Sequence, residues 1–115
     1  MWEVNFTEDM EIWLNAQDDA LIEDVLASLA VLKMYGPRLG RPWVDHIKGS
    51  RFFNMKELRV QSKGRPIRLF FAFNPRRQAI ILCGGNKQGQ DDALFYRQAI
   101  RQADEGYQRH LANGE

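Results

Sequence analysis

An α+β fold is predicted, in which an N-terminal strand and two helices pack on an antiparallel sheet that is followed by a C-terminal helix. Three observations carry this. A period-two stretch opens the chain, two helical stripes follow it, and three closely spaced strand patterns precede a last helical stripe. In the first stretch Trp2, Val4 and Phe6 alternate with Glu3 and Asn5, as in a strand with one buried face. Thr7 is placed to cap a helix with Glu8, Asp9 and Glu11 in its first turn, where carboxylates favour the amide end of the helix dipole. Met10, Trp13 and Leu14 form its apolar stripe. Asp18 or Asp19 then starts a second helix, in which Leu21, Ile22, Val25, Leu26, Leu29 and Leu32 recur at helical spacing until Gly36-Pro37.

Glycines and prolines from Gly36 to Gly49 predict an ordered loop up to Asn54, with room for one short strand. Strands are expected at 55–61, 66–74 and 78–84, joined by Ser62-Lys63-Gly64-Arg65 and by Pro75-Arg76-Arg77. The first of these turns sets a register with Val60 opposite Ile67, Leu58 opposite Leu69 and Arg59 opposite Arg68. Carried across Pro75, the same reasoning places Ile80 behind Phe71, Leu82 behind Leu69 and Cys83 beside Arg68, leaving one greasy face and one face of arginine. Asp91 or Asp92 caps a last helix with Tyr96, Ile100, Ala103, Tyr107 and Leu111 on one stripe. With 44% hydrophobic residues, the 115-residue chain suffices for one core, and one domain over 1–115 is expected.

Charge is distributed unevenly along a chain whose net is only +1. Residues 1–32 hold eight acids and no lysine or arginine, whereas residues 33–87 hold thirteen bases against Asp45 and Glu57. That local excess of eleven points to a polyanion, with solvation of strand edges and loops as the plainer alternative. The lone Cys83 excludes an internal disulfide, and its separation from any histidine favours a packed thiol over a nucleophile. His46 and His110 stand apart, so no metal site or cofactor is expected. Neither a leader pattern nor a run of about 20 apolar residues occurs, so a soluble cytoplasmic protein without a membrane partner is expected.

Two arginines opposed across strands repel, which implies an anion between them. A phosphodiester fits the guanidinium fork, and the competing reading is an ion pair with Glu57 on the same face. Lys56 opens the same strand, and the Gly84-Gly85-Asn86-Lys87 loop returns a second lysine to the end of the sheet. Tyr96 reads equally as a site residue or as a core aromatic. The other bases of the segment, Lys48, Arg51, Lys63, Arg65, Arg76 and Arg77, are the candidates for binding a polyanionic substrate.

The words MKELRV at 55–60, PIRLFFAF at 66–73, AIILCGGNKQG at 79–89 and AIRQADEGY at 99–107, in this order of elements, resemble the HigB branch of the RelE-like toxins, including its phage-derived subgroup. The resemblance implies a RelE-like fold and a toxin paired with an antitoxin of the helix-turn-helix, HigA type, through which alone it would reach operator DNA. It also implies a ribosome-dependent messenger RNA endonuclease that inhibits translation without a metal, by attack of a ribose 2′-hydroxyl on the adjacent phosphate. Arg59 and Arg68 would hold that phosphate and Lys56 and Lys87 would stabilise its developing charge, with Tyr96 a looser match and the base and acid unassigned. Two rival functions remain open at this point. One is a ParE-like toxin acting on DNA gyrase, and the other is a non-catalytic RNA-binding module that stacks bases on Phe52, Phe53 and Phe70.

Overall fold

A computed structural model describes residues 1–114. Strand β1 (Glu3–Phe6) leads into helix α1 (Glu8–Asn15) and helix α2 (Asp19–Tyr35), and a 3-10 turn at Gly36–Arg38 follows. Next come β2 (Val44–His46), β3 (Lys56–Ser62), β4 (Arg65–Phe73), β5 (Gln78–Asn86) and helix α3 (Asp92–Ala112). The helix starts are those the capping residues dictate. Thr7, Asp18 and Asp91 each accept a backbone N–H of the first turn, from Met10, Leu21 and Leu94 respectively. No helix among the described residues is long and apolar enough to cross a membrane.

The five strands form one sheet in the order β1-β5-β4-β3-β2. Neighbours are antiparallel except for β1, which adds to β5 in parallel and makes the sheet mixed. The first strand is therefore an edge of the sheet itself. Its Trp2 lies against Gly36, whose φ of 59° and lack of a side chain let the indole approach.

Between β3 and β4, Lys63 and Gly64 both take positive φ, 51° and 77°, as a two-residue hairpin turn of type I′ requires. This turn sets Arg59 opposite Arg68, Leu58 opposite Leu69 and Val60 opposite Ile67, as the sequence predicts.

The expected β4–β5 register is not the one observed. Phe71 faces Ile81, Ala72 faces Ile80, Phe70 faces Cys83 and Arg68 faces Gly85, and Leu82 is an extra residue between the two halves of the ladder. The turn at Pro75 already sets Phe71 to Phe73 one residue away from the expected register, which sends Ile80 and Leu82 to the opposite face from Phe71 and Leu69, and the bulge then adds Cys83 to that face.

Both faces are consequently packed. Leu58, Val60, Leu69, Phe71 and Ile81 meet Met10, Leu21, Val25 and Leu29 of α1 and α2 on one side. Phe70, Ala72, Ile80, Leu82 and Cys83 meet Phe95, Ala103 and Tyr107 of α3 on the other. The arginine-bearing face is apolar where α3 covers it and charged beyond the helix.

Candidate functional site

The pleat sends Glu57, Arg59 and Arg68 to the α3 side of the sheet, next to the first turns of that helix. Arg59 and Arg68 thus share one face, but a carboxylate stands with them. Arg59 Nε donates to Glu57 Oε2 at 3.1 Å, and Arg68 Nε lies 3.8 Å from Glu57 Oε1. Tyr96 donates its phenol hydrogen to Glu57 Oε1 at 2.7 Å. Glu57 is only 4% exposed, so its charge is compensated by these neighbours rather than by water. Arg59 Nη2 also reaches Asp45 Oδ2, at 3.2 Å, from the adjoining strand β2. The buried Nε of Arg68 has no hydrogen-bond partner, while its Nη1 donates to the Ile67 carbonyl at 3.1 Å. Of the two readings of the arginine pair, the ion pair with Glu57 is the one observed in this state.

Burial pushes the Tyr96 phenol up to about 12, assisted by its hydrogen bond to Glu57 and opposed by Arg68. At neutral pH Tyr96 is a hydrogen-bond donor. The Asp45 carboxyl is held below its ordinary value chiefly by a hydrogen bond from Arg41. The Cys83 thiol is pushed up to about 12 by burial and lies 3.7 Å from the Ala99 carbonyl, as a packed thiol does. Beside Glu57 and Arg59 opens a hollow of about 450 Å³, lined also by Arg41, Lys48, Tyr96 and His46.

Of the remaining expected site residues, Lys87 is brought to the cluster: its Nζ sits 5.1 Å from the centre of the Tyr96 ring and 2.8 Å from Asp92 Oδ1. Lys56 is not. An odd number of residues from both Glu57 and Arg59, it takes the α2 side of the sheet, where its Nζ lies over the Phe73 ring at 5.3 Å and burial lowers its pKa. A run of cations in sequence hides this, because the pleat divides it between two faces.

Among the expected substrate-binding residues, Lys48 lines the hollow and Arg51 lies beyond it, with Nε 3.9 Å from Asp104 Oδ2. Arg65 is engaged by Asp18 at the start of α2, at 2.7 and 3.2 Å, and Lys63 sits exposed in the hairpin turn. Arg76 and Arg77 occupy the β4–β5 turn at the far end of the sheet from Arg68, Arg77 lying 4.7 Å over the Trp2 ring. The stacking platform imagined for a pure RNA-binding module is dismantled. Phe70 is fully buried, Phe52 packs edge-on against Tyr107, and Phe53, 95% exposed, is alone in facing solvent.

His46 and Arg41 are site residues that the sequence reading missed. The three-residue strand β2 pairs Asp45 with Glu57 on the arginine face and His46 with Lys56 on the other, and because β2 is the edge of the sheet the exposed His46 still lines the hollow at its outer rim. Three residues inside a glycine- and proline-rich stretch are too few to show a period, so only the pairing reveals them. No group of three or more His, Cys, Asp or Glu side chains able to hold a metal occurs among the described residues.

A family model described as phage-derived protein Gp49-like matches residues 12–108. HigB2 of Mycobacterium tuberculosis, which bears a provisional toxin name, is 47% identical over 116 residues, covering 97% of this chain. The chain spans only 57% of HigB2, little more than half of it. HigB3 of the same organism, also provisionally named a toxin, is 42% identical over 104 residues, covering 90% of this chain and 89% of HigB3. Among solved structures, a mutant of the E. coli toxin RelE in its free state superposes with a TM-score of 0.62 at 12% identity, over 87% of this chain and 94% of that one. The archaeal RelE in complex with RelB from Pyrococcus horikoshii gives 0.56 at 16% identity, over 76% of this chain and 97% of that one. At these identities the likeness is one of fold, and the fold is RelE-like.

Proposed function

This chain belongs to the phage-derived Gp49-like family, in its HigB-type branch, and from that premise we propose that it is the toxin of a toxin–antitoxin pair and cleaves messenger RNA on the ribosome. The observation that carries the reading is the pairing of Arg59 with Arg68 on one sheet face, with Tyr96 and Lys87 at its border and an open hollow beside it. A sheet gains nothing from opposing two arginines, whereas a phosphodiester meets both forks at once.

In this reading the scissile phosphate takes the place that the Glu57 carboxylate holds between the guanidiniums. The ribose 2′-oxygen attacks phosphorus, the bond to the 5′-oxygen breaks, and the products are a 2′,3′-cyclic phosphate and a 5′-hydroxyl. Arg59, Arg68 and Lys87 meet the charge that gathers on the phosphoryl oxygens. Tyr96, which keeps its proton to about pH 12, serves as a donor, and Glu57 is the group beside the two arginines able to accept the 2′-hydroxyl proton. The partner is an antitoxin of the HigA kind, as the archaeal neighbour is found in complex with RelB.

The test is to map cuts in a messenger on translating ribosomes with purified protein. Arg68→Ala is expected to keep its circular-dichroism spectrum and to lose cutting by on the order of 10²-fold or more. Normal cutting by Arg68→Ala removes the site, and gyrase-linked DNA breaks in place of RNA fragments replace the nuclease with a gyrase poison.

A further inference from the structure

The hollow beside Arg59 does not end at α3. A second one, of about 420 Å³, adjoins it: Ile100 lines both, and the loop that gives Lys48 to the first gives Gly49 and Arg51 to the second. Arg97 and Arg101 line this second hollow one helical turn apart, so both project from the same side of α3. Both are exposed, and among the described residues neither makes an ion pair or a hydrogen bond. Like charges at this spacing weaken a helix, so the pair brings the fold no return.

Of the two carboxylates in the lining, Asp104 is buried and turned to another task. It accepts from Ser50 Oγ at 2.5 Å and from the Arg51 backbone N–H at 2.9 Å, which anchors the loop between the hollows. Glu105 is the remaining acid of the lining, against Arg51, Arg97 and Arg101.

We propose that the two hollows form one track for single-stranded RNA, a reading that rests on the nuclease function above and extends it. Arg59 and Arg68 hold the phosphate to be cut, and Arg51, Arg97 and Arg101 hold phosphates of nucleotides flanking it on one side. The chemistry favours a nucleic acid over an acidic peptide. Guanidinium forks match phosphate oxygens and stack on bases, while Ile100, the one aliphatic side chain in the second hollow, is no anchor for a peptide's apolar residues.

The experiment measures binding of a 2′-O-methyl RNA of about ten nucleotides, and of a trinucleotide, across a salt series. Wild type is compared with an R97Q/R101Q double variant and with the corresponding double lysine variant. Both positions are exposed, and an unchanged melting temperature verifies folding. For the longer RNA the slope of log K against log salt is expected to fall by about 1.4 in the glutamine variant, at ~0.7 per phosphate contact on a single strand. The lysine variant recovers it, and trinucleotide binding is unaltered. An unchanged slope, or no binding of the longer RNA by a wild type that cuts messenger on ribosomes, overturns the track and leaves the nuclease standing. Arginine-dependent binding without any cutting on ribosomes removes the nuclease and leaves a track that only binds. Displacement of the RNA by poly-glutamate as readily as by poly-uridylate overturns the track in favour of an acidic protein partner.

Discussion

At the scale of single residues, Glu57 governs the site. Its carboxylate is the shared partner of Arg59, Arg68 and Tyr96, and Arg68 is only 15% exposed at its side chain. Glu57→Ala leaves that guanidinium uncompensated and is expected to cost about 3 kcal/mol in chemical denaturation, nearly all of it from Arg68, since the more exposed Arg59 recovers water. Added inorganic phosphate should restore stability to Glu57→Ala more than to wild type, because the anion fills the place of the lost carboxylate. A phosphate effect equal in both proteins speaks against an anion seat.

Tyr96 supplies a pH signature. The folded state holds its proton up to about 12, above the value near 10 for an unfolded tyrosine, so its contribution is intact below pH 10 and is lost as pH rises through 12. The absorbance difference between wild type and Tyr96→Phe should titrate near pH 12, and a midpoint near 10 contradicts the buried hydrogen bond. The arginine pair was legible in sequence because one turn sets its register. Lys56 was misgrouped and His46 passed over because the pleat and the pairing of a three-residue strand leave no periodic trace.

At the scale of elements, the β4–β5 ladder shows where pattern reading ends. The turn at Pro75 sets pairs one residue off the expected register, which reverses the side chains of β5 up to Leu82 between the two faces, the extra residue Leu82 changes the pairing again beyond it, and nothing in the alternation announces either step. Gly84 and Gly85, expected at the end of the strand and in the loop beyond it, are each an approach point. A Cβ on Gly84 would stand 2.6 Å from the Trp13 ring on one face, and a Cβ on Gly85 2.8 Å from the Phe95 ring on the other. Gly84→Ala is expected to destabilise by about 1–3 kcal/mol, measured by urea denaturation. An alanine accepted without loss means that α1 is free to shift.

Arg65 belongs to this scale as well, since it ties the β3–β4 hairpin to the cap of α2 through Asp18. Arg65 and the Leu21 N–H lower the Asp18 carboxyl to about 2, so this contribution is present above the ordinary value near 4 and fades as pH falls toward 2. Arg65→Ala should lower the melting temperature at pH 7, less so near pH 2, and leave the proposed RNA cutting intact. Lost cutting in a fully folded variant returns Arg65 to the substrate.

At the scale of the whole molecule, the sheet divides two cores. Helices α1 and α2 pack across it from Arg59 and Arg68, and of the acids on or capping them Asp9 is engaged by Arg109 of α3 and Asp18 by Arg65. The two layers of helix were visible in the order of elements along the chain. The second core was not visible, since the β4–β5 register that builds it was not. Phe70 is its centre, in edge contact with Tyr96 and tilted against Phe95. Phe70→Ala should cost about 3–5 kcal/mol and loosen α3 against the sheet, read as faster amide exchange along that helix.

The parallel pairing of β1 with β5 also sets an order of assembly. Thr7 reaches Leu82 across 75 residues of chain, so the opening strand waits, undocked, until β5 has been translated. Tyr96 is made later still, so the cluster around Glu57 closes only once the chain has been extended into α3.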